Sequence, residues 1–126
     1  MLEMHRKRIL IIEDMAEIRR LLRVSLNRDD FEVFEAANGD SGLAMALELK
    51  PDLVLLDRMM PGTLNGLSVC RAIKSGEAPP KVLMITAMRG RENVAEGRDA
   101  GADGYIVKPF SPMELLANVD QHLADR

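Results

Sequence analysis

The sequence predicts an α/β protein, an open parallel sheet of five strands covered by helices on both faces. Three observations carry that prediction. Short aliphatic or β-branched runs recur five times, helical patterns lie between them, and the innermost runs are continuously apolar, as strands buried on both faces must be. At 126 residues the chain has the length of one domain with a single core. Strands alternating with helices imply right-handed crossovers, and such sheets carry their working site at the carboxyl ends of the strands.

The elements follow in order. RILII (8 to 12) reads as the first strand, and Ile18, Leu21, Leu22 and Leu26 form a helical stripe after it. FEVFEA (31 to 36) is the second strand, followed by Leu43, Ala46 and Leu47 at helical spacing. DLVLLD (52 to 57) is the third, and Leu67, Cys70 and Ile73 mark the helix beyond it. KVLMIT (81 to 86) is the fourth. The next helical segment, RENVAEGRDA (91 to 100), offers only Val94, Ala95 and Ala100 as apolar residues and carries Gly97 inside, so weak anchoring is expected. GYIVK (104 to 108) is the fifth strand, and Leu115, Leu116, Val119 and Leu123 close the chain as a helix. Ser111 and Glu114, with Pro112 between them, form a capping-box pattern at its start.

Composition narrows the function classes. Apolar residues make up 47% and charged residues 29%, the balance of a folded protein. With 17 basic against 20 acidic side chains the net charge is -3, which leaves no electrostatic footprint for nucleic acid, and no direct nucleic-acid binding is expected. Cys70 has no second cysteine to pair with and reads as a small core residue in a reducing, cytoplasmic setting. The early apolar run, 9 to 12, is too short for a secretory signal, and no run approaches a membrane span. Residues 1–7 read as a basic tail and 8–124 as the domain.

Applied strand by strand, the carboxyl-end rule assembles a cluster. The first strand ends in Glu13 and Asp14, the third in Asp57, the fourth in Thr86 and the fifth in Lys108 followed by Pro109. Each has a plainer explanation alone: helix caps for the acids, a strand hydroxyl for Thr86, a solvated charge for Lys108. Together, at the ends of four strands of one sheet, they converge. Three carboxylates held close repel one another unless a cation sits among them, and an all-oxygen donor set suits Mg²⁺. A carboxylate beside such an ion, with an ammonium opposite and a hydroxyl to one side, is equipped for phosphoryl transfer; Mg²⁺ binding alone would need neither Lys nor Thr.

From about Arg8 to Leu123 the chain resembles the response-regulator receiver domains of two-component signalling, similar to the single-domain chemotaxis type. The matching pieces are IIED, LLDRMMP, MITA and GADGYIVKPF. The resemblance implies a strand order of 2-1-3-4-5, the flavodoxin-like receiver fold. It implies Asp57 as phosphoacceptor, Glu13, Asp14, Asp57 and the backbone carbonyl of Met59 as Mg²⁺ ligands, and Lys108, Thr86 and Ala87 as phosphoryl-binding groups. Thr86 and Tyr105 would be the switch residues, and the Lys108–Pro109 bond is expected to be cis. Output would be a population shift in the fourth helix, fifth strand and fifth helix. The implied partners are a histidine kinase or phosphotransfer protein and a downstream protein target. No enzyme activity is expected beyond the chain's own phosphoryl transfer and autodephosphorylation.

Several positions depart from the family pattern. PGTLNG (61 to 66) runs one residue long, which bears on the start of the third helix and the rim of the site. Met59 and Met88 stand where relatives tune hydrolysis of the phospho-aspartate, and two apolar residues there imply a long-lived phosphoryl group. Arg58 is expected to point at solvent or at a partner's acidic face, and His5 and His122 to be ordinary surface residues. Gly104 and Asn118 replace the acid and Arg with which transcription-factor relatives often pair, so a monomer is expected. The chain runs four residues past His122, which leaves open a single-domain regulator or a piece of a longer one.

Two rivals share the topology or the nucleophile. A haloacid-dehalogenase-like phosphatase needs a second Asp two residues after the first, where this chain has Met59. A flavodoxin must cradle a phosphate in its first loop, where Glu13 and Asp14 would repel it, and no Trp is present to stack on a flavin. A receiver-like docking module that works without phosphorylation is the nearer alternative.

Overall fold

The computed structural model describes residues 6–60, 65–87 and 91–124, the side chains of 91–93 excepted. Five strands and five helices alternate along them: β1 (Lys7–Ile12), α1 (Ala16–Ser25), β2 (Phe31–Ala36), α2 (Gly39–Leu49), β3 (Leu53–Asp57), α3 (Gly66–Lys74), β4 (Lys81–Thr86), α4 (Arg91–Asp99), β5 (Gly104–Val107) and α5 (Pro112–Ala124). The strands are all parallel, in the order β2-β1-β3-β4-β5.

Strand parity divides the core in two. Ile9 and Ile11, Leu53 and Leu55, Leu83 and Ile85 face α1 and α5, where Leu22, Leu26, Leu115, Val119 and Leu123 meet them. Leu10 and Ile12, Val54 and Leu56, Val82 and Met84 face the other way, against Ala46 of α2, Val69, Cys70 and Ile73 of α3, and Ala100 just beyond α4. Every residue of β3 is buried, which is why its run is unbroken in the sequence. Burial pushes the Cys70 thiol up to about 11, as befits a core residue.

Local chemistry sets the element ends. Asn38 Oδ1 accepts from the Ser41 N–H at 2.8 Å and Asn65 Oδ1 from the Ser68 N–H at 3.0 Å, capping α2 and α3. Ser111 Oγ accepts from the Glu114 N–H at 3.1 Å, the first half of the predicted capping box. The Glu114 carboxylate accepts from the Ser111 hydroxyl at 3.4 Å in place of the Ser111 backbone N–H. After α4, Gly101 adopts a φ of 99° while its N–H bonds Arg98 O and the Ala102 N–H bonds Gly97 O, a Schellman ending.

Some boundaries differ from expectation. Lys7 pairs with Phe31 in β1, and the Arg6 guanidinium donates to the carbonyls of Asp29 and Phe31, so both belong to the fold and not to a tail. β5 stops at Val107, although the Lys108 N–H still donates to Thr86 O at 2.8 Å. On α1, Leu21 faces outward while Leu22 and the C-cap residue Leu26 are buried. Among the described residues no helix is long and apolar enough to cross a membrane.

Candidate functional site

The carboxyl edge of the sheet gathers the acids. Glu13 follows β1 and is held by its N–H to Ala36 O at 3.0 Å. Its side chain is buried: Oε2 accepts from the Met15 N–H at 3.1 Å and Oε1 from Lys108 Nζ at 3.4 Å. Neither Glu13 nor Asp14 caps α1, whose N-cap is Met15 without a side-chain bond, so the helix-cap explanation of these acids does not hold. Asp57, the last residue of β3, is buried, with Oδ1 accepting from the Met59 N–H at 3.2 Å and 3.7 Å from Lys108 Nζ. The lysine therefore stands between the two carboxylates, and its bond to Pro109 is cis.

Carboxylate oxygens of Glu13, Asp14 and Asp57 lie within 4.8 Å of one another. The Glu13 carboxyl is raised from an ordinary 4.5 to about 8, chiefly because burial strips water from its charged form and then because Asp57 and Asp14 crowd it. Such a group of hard oxygen donors, with a carboxyl that resists ionising alone, could hold a divalent cation, which would reverse the penalty. Thr86 is buried at the end of β4, and Ala87 is exposed beside it. Tyr105, on β5, is half-buried against the α2–α4 face. Met59 is 61% exposed.

Residue 58 corrects the sequence reading. Arg58 is not directed at solvent: it is 8% exposed and its Nη2 lies 3.2 Å from Glu96 Oε2 on α4. The reason is strand parity, since the Arg58 N–H continues the ladder to Ile85 O at 3.0 Å, which turns the side chain to the face of Leu56 and Met84. Counting odd and even along β3 would have found it. Gly66 carries a constraint that no local sequence pattern shows. A Cβ there would lie 2.5 Å from Arg58 Cα and 2.6 Å from Asp57 O, so only glycine lets the start of α3 pack on the phosphoacceptor candidate's backbone. The start of α3 itself is regular, at Gly66 behind the Asn65 cap. Residues 61–64 of the lengthened loop, Met88 and His5 lie outside the described residues. His122 is half-buried, with Nδ1 2.8 Å from Asn118 O and Nε2 2.7 Å from where a Gly104 Cβ would be.

A sequence model of the response regulator receiver domain matches residues 9–120. The chain belongs to this family. The receiver domain is 49% identical over 112 residues to the transcriptional regulatory protein ResD of Bacillus subtilis, covering 89% of this chain and 46% of that protein. It is 42% identical over 115 residues to the phosphate regulon transcriptional regulatory protein PhoB of Pseudomonas aeruginosa, covering 90% and 50%. The chain thus spans about half the length of the curated relatives it matches. Among solved structures, the chemotaxis protein CheY4 of Vibrio cholerae superposes with a TM-score of 0.84 at 30% identity over 92% of this chain and 98% of that one. A putative response regulator from Chloroflexus aurantiacus superposes with 0.87 at 30% identity, over 94% and 98%. The fold and the membership expected from the motifs are those found.

Proposed function

We propose that this receiver domain takes a phosphoryl group onto Asp57 from a phosphohistidine of a kinase or phosphotransfer protein, with Mg²⁺ held by Glu13, Asp14, Asp57 and the Met59 carbonyl. The observation that carries the reading is Lys108 Nζ, 3.4 Å from Glu13 and 3.7 Å from Asp57 at the sheet edge. A bound cation supplies neutralisation of charge on the phosphoryl oxygens. An Asp57 oxygen attacks phosphorus, the P–N bond of the donor breaks, and its electron pair stays on the imidazole. Lys108 then pairs with the transferred group, and Thr86 and the Ala87 N–H donate to its oxygens. The Met59 N–H, already bonded to Asp57 Oδ1, keeps the carboxylate aimed. Thr86 and Tyr105 change arrangement with the phosphoryl group and pass the change to α4, β5 and α5.

With Met59 exposed beside Asp57 and Met88 two residues after Thr86 in the sequence, no polar side chain stands at these two positions to orient a hydrolytic water, and the phosphoryl group is long-lived. A lifetime of seconds would overturn that part. The domain acts as a phosphoacceptor, not a turnover enzyme, and works in the cytoplasm. It functions as a monomer that signals to a protein, its net charge of -3 giving nucleic acid no purchase. Intact-protein mass after incubation with Mg²⁺ and acetyl phosphate tests the core of the reading. A gain of one phosphoryl group that requires both Mg²⁺ and Asp57, lost in Asp57→Asn, is expected. No gain in folded protein would favour a docking module that works without phosphorylation.

A further inference from the structure

Arg58 carries a buried charge one residue after Asp57, and its backbone is tied on both sides. The N–H is bonded to Ile85 O on β4 at 3.0 Å, the carbonyl accepts from the Gly66 N–H at 3.1 Å, and its Cα closes the space where a Gly66 Cβ would be. The long side chain is the adjustable part. It crosses the α2–α4 face to reach Glu96 at 3.2 Å, and it hydrogen-bonds Tyr105. The Tyr105 hydroxyl in turn occupies the place of a side chain at Gly97, where a Cβ would fall 1.3 Å from it. One guanidinium thus joins β3, α4 and β5 at a point adjoining the phosphoacceptor candidate.

The joint matters because the described side chains of α4 offer little else. Of its residues with described side chains, Gly97 alone is buried, while Val94 is 36% exposed and Ala95, Glu96, Arg98 and Asp99 face solvent. The helix therefore depends on a charge-assisted contact where its neighbours depend on apolar burial. The pair is also asymmetric: Arg58 is enclosed whereas the Glu96 side chain is 53% exposed, so losing the tie leaves the glutamate solvated and free to follow α4.

We infer that Arg58 is a positioning residue that ties α4 and Tyr105 to the strand bearing Asp57, so that the arrangement of α4 is set at the residue next to the phosphoryl site. Only the last arm of its test rests on the phosphoacceptor reading. The chain has one Tyr and no Trp, so tyrosine emission reports on Tyr105 alone. In Arg58→Met, amide exchange over residues 94–100 is expected to be at least about tenfold faster and acrylamide quenching of Tyr105 to change, as for loss of one charged hydrogen-bond group. In Glu96→Gln, which removes the charge partner and leaves the Arg58–Tyr105 contact, α4 exchange quickens with a smaller change in quenching. Unchanged exchange and quenching in folded Arg58→Met overturn the inference. Should Arg58→Met not fold, unchanged α4 exchange in Glu96→Gln does the same. For the last arm, Glu96 lies on α4 outside the acidic cluster, yet Glu96→Gln should alter the rate of phosphoryl gain from acetyl phosphate by about threefold or more, because loosening α4 shifts the population that reacts. An unaltered rate reduces Arg58 to a structural tie and overturns the coupling. Absence of any gain in the wild type would sink the phosphoryl reading while leaving the exchange and quenching results to decide the tie.

Discussion

Helices α4 and α5 flank the same edge strand, β5, and are held to the sheet by opposite means. α5 buries Leu115, Val119 and Leu123 against Ile106 and the inner strands, so its attachment is apolar and spread over three turns. Among its described side chains α4 buries Gly97 alone, and it is joined through Glu96 to the Arg58 guanidinium. Apolar burial is proportional to area and indifferent to small displacements of charge, whereas one ion pair depends on the position of one group. A helix of the first kind moves with the core; a helix of the second kind has an adjustable seat.

Among single substitutions the largest effect should come from weakening the apolar side. Leu115→Ala removes a fully buried side chain, and unfolding free energy in urea is expected to fall by about 3 kcal/mol. A loss below about 1 kcal/mol would mean that α5 is held no more firmly than an exposed helix. A second contrast is drawn by pH. The Glu13 carboxyl, raised from 4.5 to about 8, keeps in the cation-free fold a proton that the unfolded chain has released. Stability from this group is therefore complete below pH 4.5 and is lost as pH rises toward 8, by at most about 1.4 kcal/mol per pH unit. Added Mg²⁺ should raise the melting temperature more at pH 8 than at pH 5, and an equal rise at both would contradict a cation among these carboxylates.

Gly97→Ala probes the seat itself. The added Cβ falls 1.3 Å from the Tyr105 hydroxyl and 2.3 Å from its ring carbon Cζ, so the whole ring must be displaced; alanine's helix preference of about 1 kcal/mol offsets part of that cost, and net stability should fall by about 1–2 kcal/mol. Tyr105 must still shift, and its emission should become quenched to a different extent while amide exchange of α5 stays as it was. Smallest of all, Val94→Ala on the outer side of α4 should alter stability by under about 0.5 kcal/mol in the same urea titration. A loss as large as that of Leu115→Ala would abolish the difference between the two helices.

What was legible in the sequence follows the same division. Apolar periodicity marks β1, β3, β4 and α5 because burial leaves a trace in every residue of the run. The acids and Lys108 were found because each stands where an apolar run stops. Arg58 was misplaced because a buried, paired arginine and a solvated one are the same letter, and only its parity in β3 distinguishes them. Gly97 reads as a weak point in a helix, and its use as a seat for Tyr105 depends on a contact eight residues away that no local pattern encodes. Asn38 and Asn65 cap α2 and α3, each immediately before a glycine that opens the helix, while α1, which follows the acids, has no side-chain cap.

The odd and even positions of β3 serve two different readers. Leu53, Leu55 and Asp57 belong to one face, Val54, Leu56 and Arg58 to the other, so two consecutive residues deliver a carboxylate and a guanidinium to opposite sides of the sheet. Deleting one residue within this strand would keep its composition nearly unchanged and exchange the two destinations. The spacing of β3 is thus itself a coded quantity: function can be lost here by a shift of reading frame in space, with every chemical group still present.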